Sequence, residues 1–122
     1  MGTIYIVDDS ATTRASVEYT LKQGGHEVIT SESGPSCLTK VGTLSKSPDL
    51  FILDVNMPEM DGITLIKELR KLDLTKYTPI LMLTTESQDS KKLEGKQAGA
   101  SGWLVKPFDP SQLMGVVQRF VK

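Results

Sequence analysis

Leu50-Phe51-Ile52-Leu53-Asp54-Val55-Asn56-Met57-Pro58-Glu59-Met60-Asp61-Gly62 is the stretch that decides the fold. Its first four residues are apolar without interruption. Such a run suits a strand covered on both faces, the pattern of a parallel sheet, rather than the alternation of a strand with one wet face. The run halts at Asp54. After Asp61-Gly62 the spacing changes to Ile63, Ile66 and Leu69 on one helical stripe, with Glu68 and Arg70 set outward. Strand, loop and helix in that order form one half of a βαβ unit.

Working outward, the same alternation recurs on both sides. Further strand-like runs are Ile4–Val7, the weak Glu27–Ile29, Ile80–Leu83 and Trp103–Val105. Helical stretches lie between them. The first runs from Ala11 to Gln23, with Ala11, Ala15 and Leu21 inward and Gly24-Gly25 closing it. The second opens near Pro35, after Ser33-Gly34, and reaches about Leu44. The fourth, Gln88 to Gln97, is rich in charge (Lys91, Lys92, Glu94, Lys96) and has little besides Leu93 to bury, so it should be the least firmly packed. The fifth starts at Pro110, in the favoured first turn, and ends at Phe120-Val121. Five such units with right-handed crossovers predict an α/β, flavodoxin-like doubly wound sheet: five parallel strands in the order 2-1-3-4-5, with five helices.

Bulk properties agree and exclude other classes. A chain of 122 residues suggests one domain spanning 1–122. With 39% hydrophobic and 24% charged residues it is neither disordered nor low in complexity. Fourteen basic against fifteen acidic residues leave a net charge of −1, so no basic field exists to hold nucleic acid or an anionic membrane. The single cysteine, Cys37, allows no intrachain disulfide and reads as a buried thiol. No basic n-region precedes the first apolar run, which stops at Asp8-Asp9, and no stretch is long enough to span a bilayer. Gly2 lacks the Ser or Thr that acylation needs, since Ile6 holds that position. The expected setting is cytoplasmic.

Ligands of an open parallel sheet bind at the carboxyl ends of its strands. Asp8 and Asp9 follow the first run, Asp54 the third, Thr84 and Thr85 the fourth, and Lys106 the fifth. These four strands are neighbours in the expected order, so the residues crowd one rim. Three nearby carboxylates need compensation, because like charges disfavour ionisation. A hard divalent cation on oxygen ligands supplies it, and Mg²⁺ fits; the absence of a His or Cys cluster speaks against zinc. With Lys106 and a threonine hydroxyl added, the set becomes a receptor for a phosphoryl group, which the central carboxylate is placed to attack. Singly, each residue has a plainer explanation: an Asp or Ser10 as helix cap, a structural threonine, a solvated lysine.

Other residues carry weaker signals. His26, after Gly24-Gly25, reads as a surface turn residue. Met57 and Met60 read as gap fillers. Lys67, Arg70, Lys71 and Lys76 read as a solvated face. Trp103, the sole tryptophan, has a half-covered strand edge as its plain reading.

Taken together, Val7-Asp8-Asp9-Ser10, Asp54 to Gly62, Leu83-Thr84 and Ala98-Gly99-Ala100-Ser101-Gly102-Trp103 leading to Lys106-Pro107-Phe108 resemble the receiver domain of two-component response regulators. The resemblance covers essentially the whole chain and is strongest to the single-domain chemotaxis type. It implies that Asp54 is the phosphoacceptor, charged by a histidine kinase. It further implies that Asp9, Asp54 and the Asn56 backbone carbonyl ligate Mg²⁺, with Asp8 acting through water. Thr84 would bond a phosphoryl oxygen, Lys106 would pair with the phosphorylated carboxylate, and the Lys106-Pro107 bond would be cis. Asn56 and Glu86 occupy the positions that tune acyl-phosphate hydrolysis, and they suggest a short-lived signal and a phosphatase partner. Thr84 and Trp103 would form the switch that reshapes a partner-binding face, for an output protein such as the flagellar motor switch. A monomer is implied, catalysing only its own phosphorylation and dephosphorylation. Two positions depart from the family pattern. Thr85 stands where Ala or Gly is usual and narrows access to Asp54, and Trp103 stands where Tyr or Phe is usual.

Three alternatives remain at this level. One is a Mg²⁺-dependent phosphohydrolase using an aspartyl phosphate, a class that usually has a second acid where this chain has Asn56. Another is a relay intermediate outside chemotaxis. The third, a degenerate receiver that only binds, is disfavoured because the five functional positions are intact.

Overall fold

The computed structural model describes residues 2–85 and 89–121. Five strands, β1 (Thr3–Val7), β2 (Glu27–Ser31), β3 (Leu50–Asp54), β4 (Ile80–Thr85) and β5 (Gly102–Lys106), pair in parallel in the order β2-β1-β3-β4-β5. Five helices alternate with them: α1 (Ala11–Gln23), α2 (Gly34–Val41), α3 (Gly62–Lys71), α4 (Asp89–Ala98) and α5 (Pro110–Phe120). The flavodoxin-like topology expected from the alternation is the one observed.

Strand alternation builds two cores. Tyr5 and Val7 of β1, with Phe51 and Leu53 of β3, face α2 and α3 and pack on Ile66 and Leu69. Ile4, Ile6, Leu50 and Ile52 face the other way, onto Val17 and Leu21 of α1 and Leu113 and Val117 of α5. Every residue of β3 is buried, as its uninterrupted apolar run requires of a central strand. The Cys37 thiol is buried, and that burial raises its pKa to about 12.

The helix caps explain where the elements begin. Ser10 accepts from the Thr13 N–H, Ser33 from Ser36 and Asp61 from Thr64, each three residues ahead. At α5, Asp109 and Gln112 form a reciprocal capping box, with Pro110 in the first turn between them.

Several side chains lie where the pattern did not put them. Ala11 and Ala15 are exposed, and Val17 takes the inward place beside Leu21. Helix α2 ends at Val41, short of Leu44, because Gly42 caps it. His26 is buried rather than at the surface, its Nδ1 accepting the Gly2 N–H at 3.2 Å. Leu93 is 59% exposed, and the only buried residue of α4 is Gly95. A Cβ on Gly95 would overlap the Met82 thioether, so the helix backbone itself sits on the sheet there. Arg70 does not point to solvent. Its guanidinium donates to the carbonyls of Gly99 (2.7 Å from Nη2), Thr75 (3.0 Å) and Thr78 (2.7 Å), tying the end of α3 to the turn before β5. Burial lowers its pKa accordingly.

Candidate functional site

Parallel strands of matched register deliver their ends to one edge, and here charged residues stand at or directly after the ends of β1, β3 and β5. Asp8, directly after β1, is fully buried, and Asp54, the last residue of β3, is 6% exposed; Asp9 is exposed. One carboxylate oxygen from each of the three lies within 4.8 Å of the others. Lys106, the last residue of β5, reaches into this group. Its Nζ stands 3.2 Å from Asp54 Oδ1 and 3.3 Å from Asp8 Oδ2. The other Asp8 oxygen accepts the Ser10 N–H at 2.9 Å, and Ser10, not an aspartate, caps α1. The Lys106-Pro107 peptide is cis, as the resemblance implies.

Electrostatics of the cluster are unbalanced. Three carboxylates against one ammonium leave a formal charge of −2. Burial pushes the Asp54 carboxyl up from its usual value to about 6; the neighbouring Asp8 charge adds to this, while Lys106 and the Asn56 backbone N–H pull the other way. Thr84 is buried on the adjacent strand. Its hydroxyl has no hydrogen-bond partner among the described residues, an uncommon state for a buried polar atom. Oxygen-only donors, excess negative charge and a hydroxyl without an acceptor suit a hard divalent cation such as Mg²⁺ together with an anionic group. The residues present therefore fit that metal.

The loop after Asp54 is shaped by backbone contacts. The Gly62 N–H donates to the Val55 carbonyl at 2.9 Å, and a Cβ on Gly62 would overlap the Asp54 carbonyl oxygen. Within the loop the Met60 N–H reaches the Pro58 carbonyl at 2.8 Å across Glu59, whose φ is +69°. A non-glycine residue in that region is strained, and such residues cluster at functional loops. Met57 is buried beneath the loop and Asn56 is exposed above it, next to the carboxylates.

The expected residues thus divide by position. Asp8, Asp9, Asp54 and Lys106 meet directly, Thr84 and Asn56 flank them, and Glu86 lies outside the described residues. Thr85, exposed at the end of β4, lines a cavity of about 510 Å³ with Lys106, Pro107 and Phe108. Trp103 lies on β5, 43% exposed, with the Lys92 ammonium 5.7 Å from its ring centroid. Lys92 in turn approaches Asp89 at 3.5 Å. One residue escaped the sequence reading. Arg14 of α1 donates from Nη1 to the Asp8 carbonyl at 2.6 Å. Its signal was a cation near the positive end of a helix, an unfavourable place that calls for a specific acceptor.

Residues 4–118 match the model of the response regulator receiver domain. The chain belongs to that family, a class of signalling domains. Among its relatives it is 36% identical to the chemotaxis protein CheY of Bacillus subtilis over 117 residues, covering 95% of this chain and 94% of that protein. It is also 36% identical to the alkaline phosphatase synthesis transcriptional regulatory protein PhoP of the same organism, covering 98% of this chain but 48% of PhoP. The chain thus spans about half the length of some curated relatives and nearly all of others. The structure of Vibrio cholerae chemotaxis protein CheY4 superposes with a TM-score of 0.92 at 45% identity, covering 99% of each chain. Among the described residues no helix is long and apolar enough to cross a membrane.

Proposed function

We propose that this receiver is a phosphoacceptor of a two-component relay, with Asp54 as the acceptor. The observation that carries the reading is the Asp54 carboxylate itself: central in the acidic cluster, 3.2 Å from a fixed ammonium, and raised to about 6 by its surroundings. An Asp54 oxygen attacks the phosphorus of a kinase phosphohistidine. The N–P bond breaks, the imidazole leaves with its electron pair, and a mixed carboxylic–phosphoric anhydride remains on Asp54. Lys106 keeps its contact with the carboxylate and offsets charge on the entering phosphoryl group. The Thr84 hydroxyl finds its acceptor in a phosphoryl oxygen. Asp9, Asp54 and the Asn56 carbonyl would hold Mg²⁺, with Asp8 through water; the ion supplies charge neutralisation for phosphoryl transfer. Asn56 and Glu86 would set how fast water hydrolyses the acyl phosphate, returning the Asp54 carboxylate and releasing inorganic phosphate.

The signal then passes through packing. Thr84, drawn to the phosphoryl group, vacates space that Trp103 can enter, and the face of α4, β5 and α5 changes for an output partner. Likeness to CheY proteins along nearly their full length supports chemotaxis, with a flagellar motor switch protein as the output and a phosphatase as a further partner. In this reading the chain acts as a cytoplasmic monomer over one domain, residues 1–122, and binds no nucleic acid.

Intact-mass measurement after incubation with Mg²⁺ and acetyl phosphate tests the chemistry. A single phosphoryl adduct is expected in the parent and none in Asp54→Asn. Steady turnover of a generic phosphate ester would instead point to a phosphohydrolase. Pull-down of flagellar motor proteins by the phosphorylated chain, and not by the unmodified one, is the outcome expected for a chemotaxis role.

A further inference from the structure

We infer that Arg14 is a positioning residue for the acidic pair Asp8-Asp9, setting the affinity of the cluster for its divalent cation through the backbone of the β1–α1 turn. The inference rests on the phosphoacceptor reading of the site. Its starting point is an asymmetry between the two acids. Asp8 is held by hydrogen bonds on both oxygens, from the Ser10 N–H at 2.9 Å and the Lys106 ammonium at 3.3 Å. Among the described residues no hydrogen bond or ion pair holds the Asp9 carboxylate, and it is exposed. Its place in the cluster therefore depends on the backbone that carries it.

That backbone is braced by Arg14. Nη1 donates to the Asp8 carbonyl at 2.6 Å, while the Arg14 N–H donates to the Ser10 carbonyl at 3.0 Å. The second bond is the first helical bond of α1 and survives substitution at 14, so what the side chain itself supplies is the guanidinium contact on the peptide that joins Asp8 to Asp9. The acceptor is a peptide carbonyl next to a buried acid, not a carboxylate, so the guanidinium fixes geometry and leaves the ligand oxygens free. Its charge works against cation binding, since a guanidinium near a metal site repels the metal. The guanidinium thus has two separable roles: its charge offsets part of the cluster's formal −2, while its short main-chain bond fixes the turn.

These two roles predict opposite signs. If Arg14 acts only as a nearby charge, removing it tightens Mg²⁺ binding. If it positions the pair, removing it loosens binding by roughly tenfold, the lower end of what loss of an outer partner of a metal ligand costs. Amide chemical shifts of the ¹⁵N-labelled full chain, titrated with MgCl₂, read the affinity and the integrity of the fold together. Arg14→Gln, whose amide falls short of the guanidinium's reach, is expected to raise the Mg²⁺ dissociation constant about tenfold, with Arg14→Lys, which keeps a long charged donor, falling between it and the parent. At saturating Mg²⁺ the initial phosphorylation rate of Arg14→Gln by acetyl phosphate should return to within about twofold of the parent, because only the approach of the ion has been weakened. Arg119→Gln, an equal charge change on α5, should leave the constant unmoved. An unchanged or lower dissociation constant in Arg14→Gln overturns the inference. A parent chain without any Mg²⁺ response overturns the metal-dependent reading of the site instead.

Discussion

Helices α3 and α4 are each ten residues long and neighbours in space, yet they are attached to the sheet in different ways. Helix α3 buries Ile63, Leu65, Ile66 and Leu69, and its first residue lies against the backbone of the acceptor strand. Helix α4 buries Gly95 alone. Helix α4 is further held by Ala98, partly buried against the core, by the Arg70 grip on the turn after it and by the contact of Lys92 with Trp103. The first helix is a floor for the acceptor loop. The second is an attachment of low stability beside the sole tryptophan, the kind of element that local opening and switching draw on.

The largest effect separating them should appear in the core. Leu69→Ala is expected to cost about 2–5 kcal/mol in urea unfolding. Leu93→Ala on α4 should stay within about 0.5 kcal/mol. Equal costs would erase the distinction. Next is the acceptor. Its carboxyl has a folded-state pKa of about 6, above the unfolded value of 3.8, so the native state prefers the protonated form. Ionisation therefore destabilises the fold, fully above pH 6, and the penalty fades as pH falls toward 4. Asp54→Asn should accordingly gain on the order of 2 kcal/mol at pH 8 and little at pH 4. Amide exchange in α4 should not follow that gain if the helix opens by itself, which sharpens the contrast.

Arg70→Ala is expected to cost about 1–3 kcal/mol, since carbonyls lose a charged donor, against nearly nothing for the exposed Lys67→Ala. Exchange in α4 should accelerate in the Arg70 variant more than exchange in α3. Smallest is the edge contact. Lys92→Ala should remove about 0.5 kcal/mol while shifting Trp103 emission and raising its quenching by acrylamide. Unchanged fluorescence would mean that the lysine does not shape the setting of the ring.

Continuous apolar runs made the strands legible in the sequence, and the residues after each run made the rim legible. Asp54 could be placed because Leu50–Leu53 had to be a buried strand and the chain had to turn at its end. Side-chain reach was harder to read. Arg70 sits at an outward helical position by periodicity, yet its long stem bends back to carbonyls of a segment that folds beside it only in three dimensions. His26 follows two glycines, a turn signal that says nothing of the Gly2 N–H that arrives to cover it. Leu93 is the one large apolar residue of a polar helix, which marks it as the residue that helix has to bury. In the fold Gly95 takes that contact, because only a residue without Cβ lets the helix approach Met82. For Arg14, the acceptor is a backbone atom, which carries no mark in the sequence.

The segment from Val55 to Gly62 is clasped at its base, with the Gly62 amide on the Val55 carbonyl and the glycine pressed on the strand. Its exposed tip, Pro58-Glu59, lies beyond that clasp, while Met60 packs on the core and against Gly34. Extra residues at the tip would meet only a slowly growing closure entropy. This makes the tip a port for engineering: a peptide grafted there could alter which kinase docks while the nucleophile stays in register, whereas any side chain installed at residue 62 would disturb the nucleophile first.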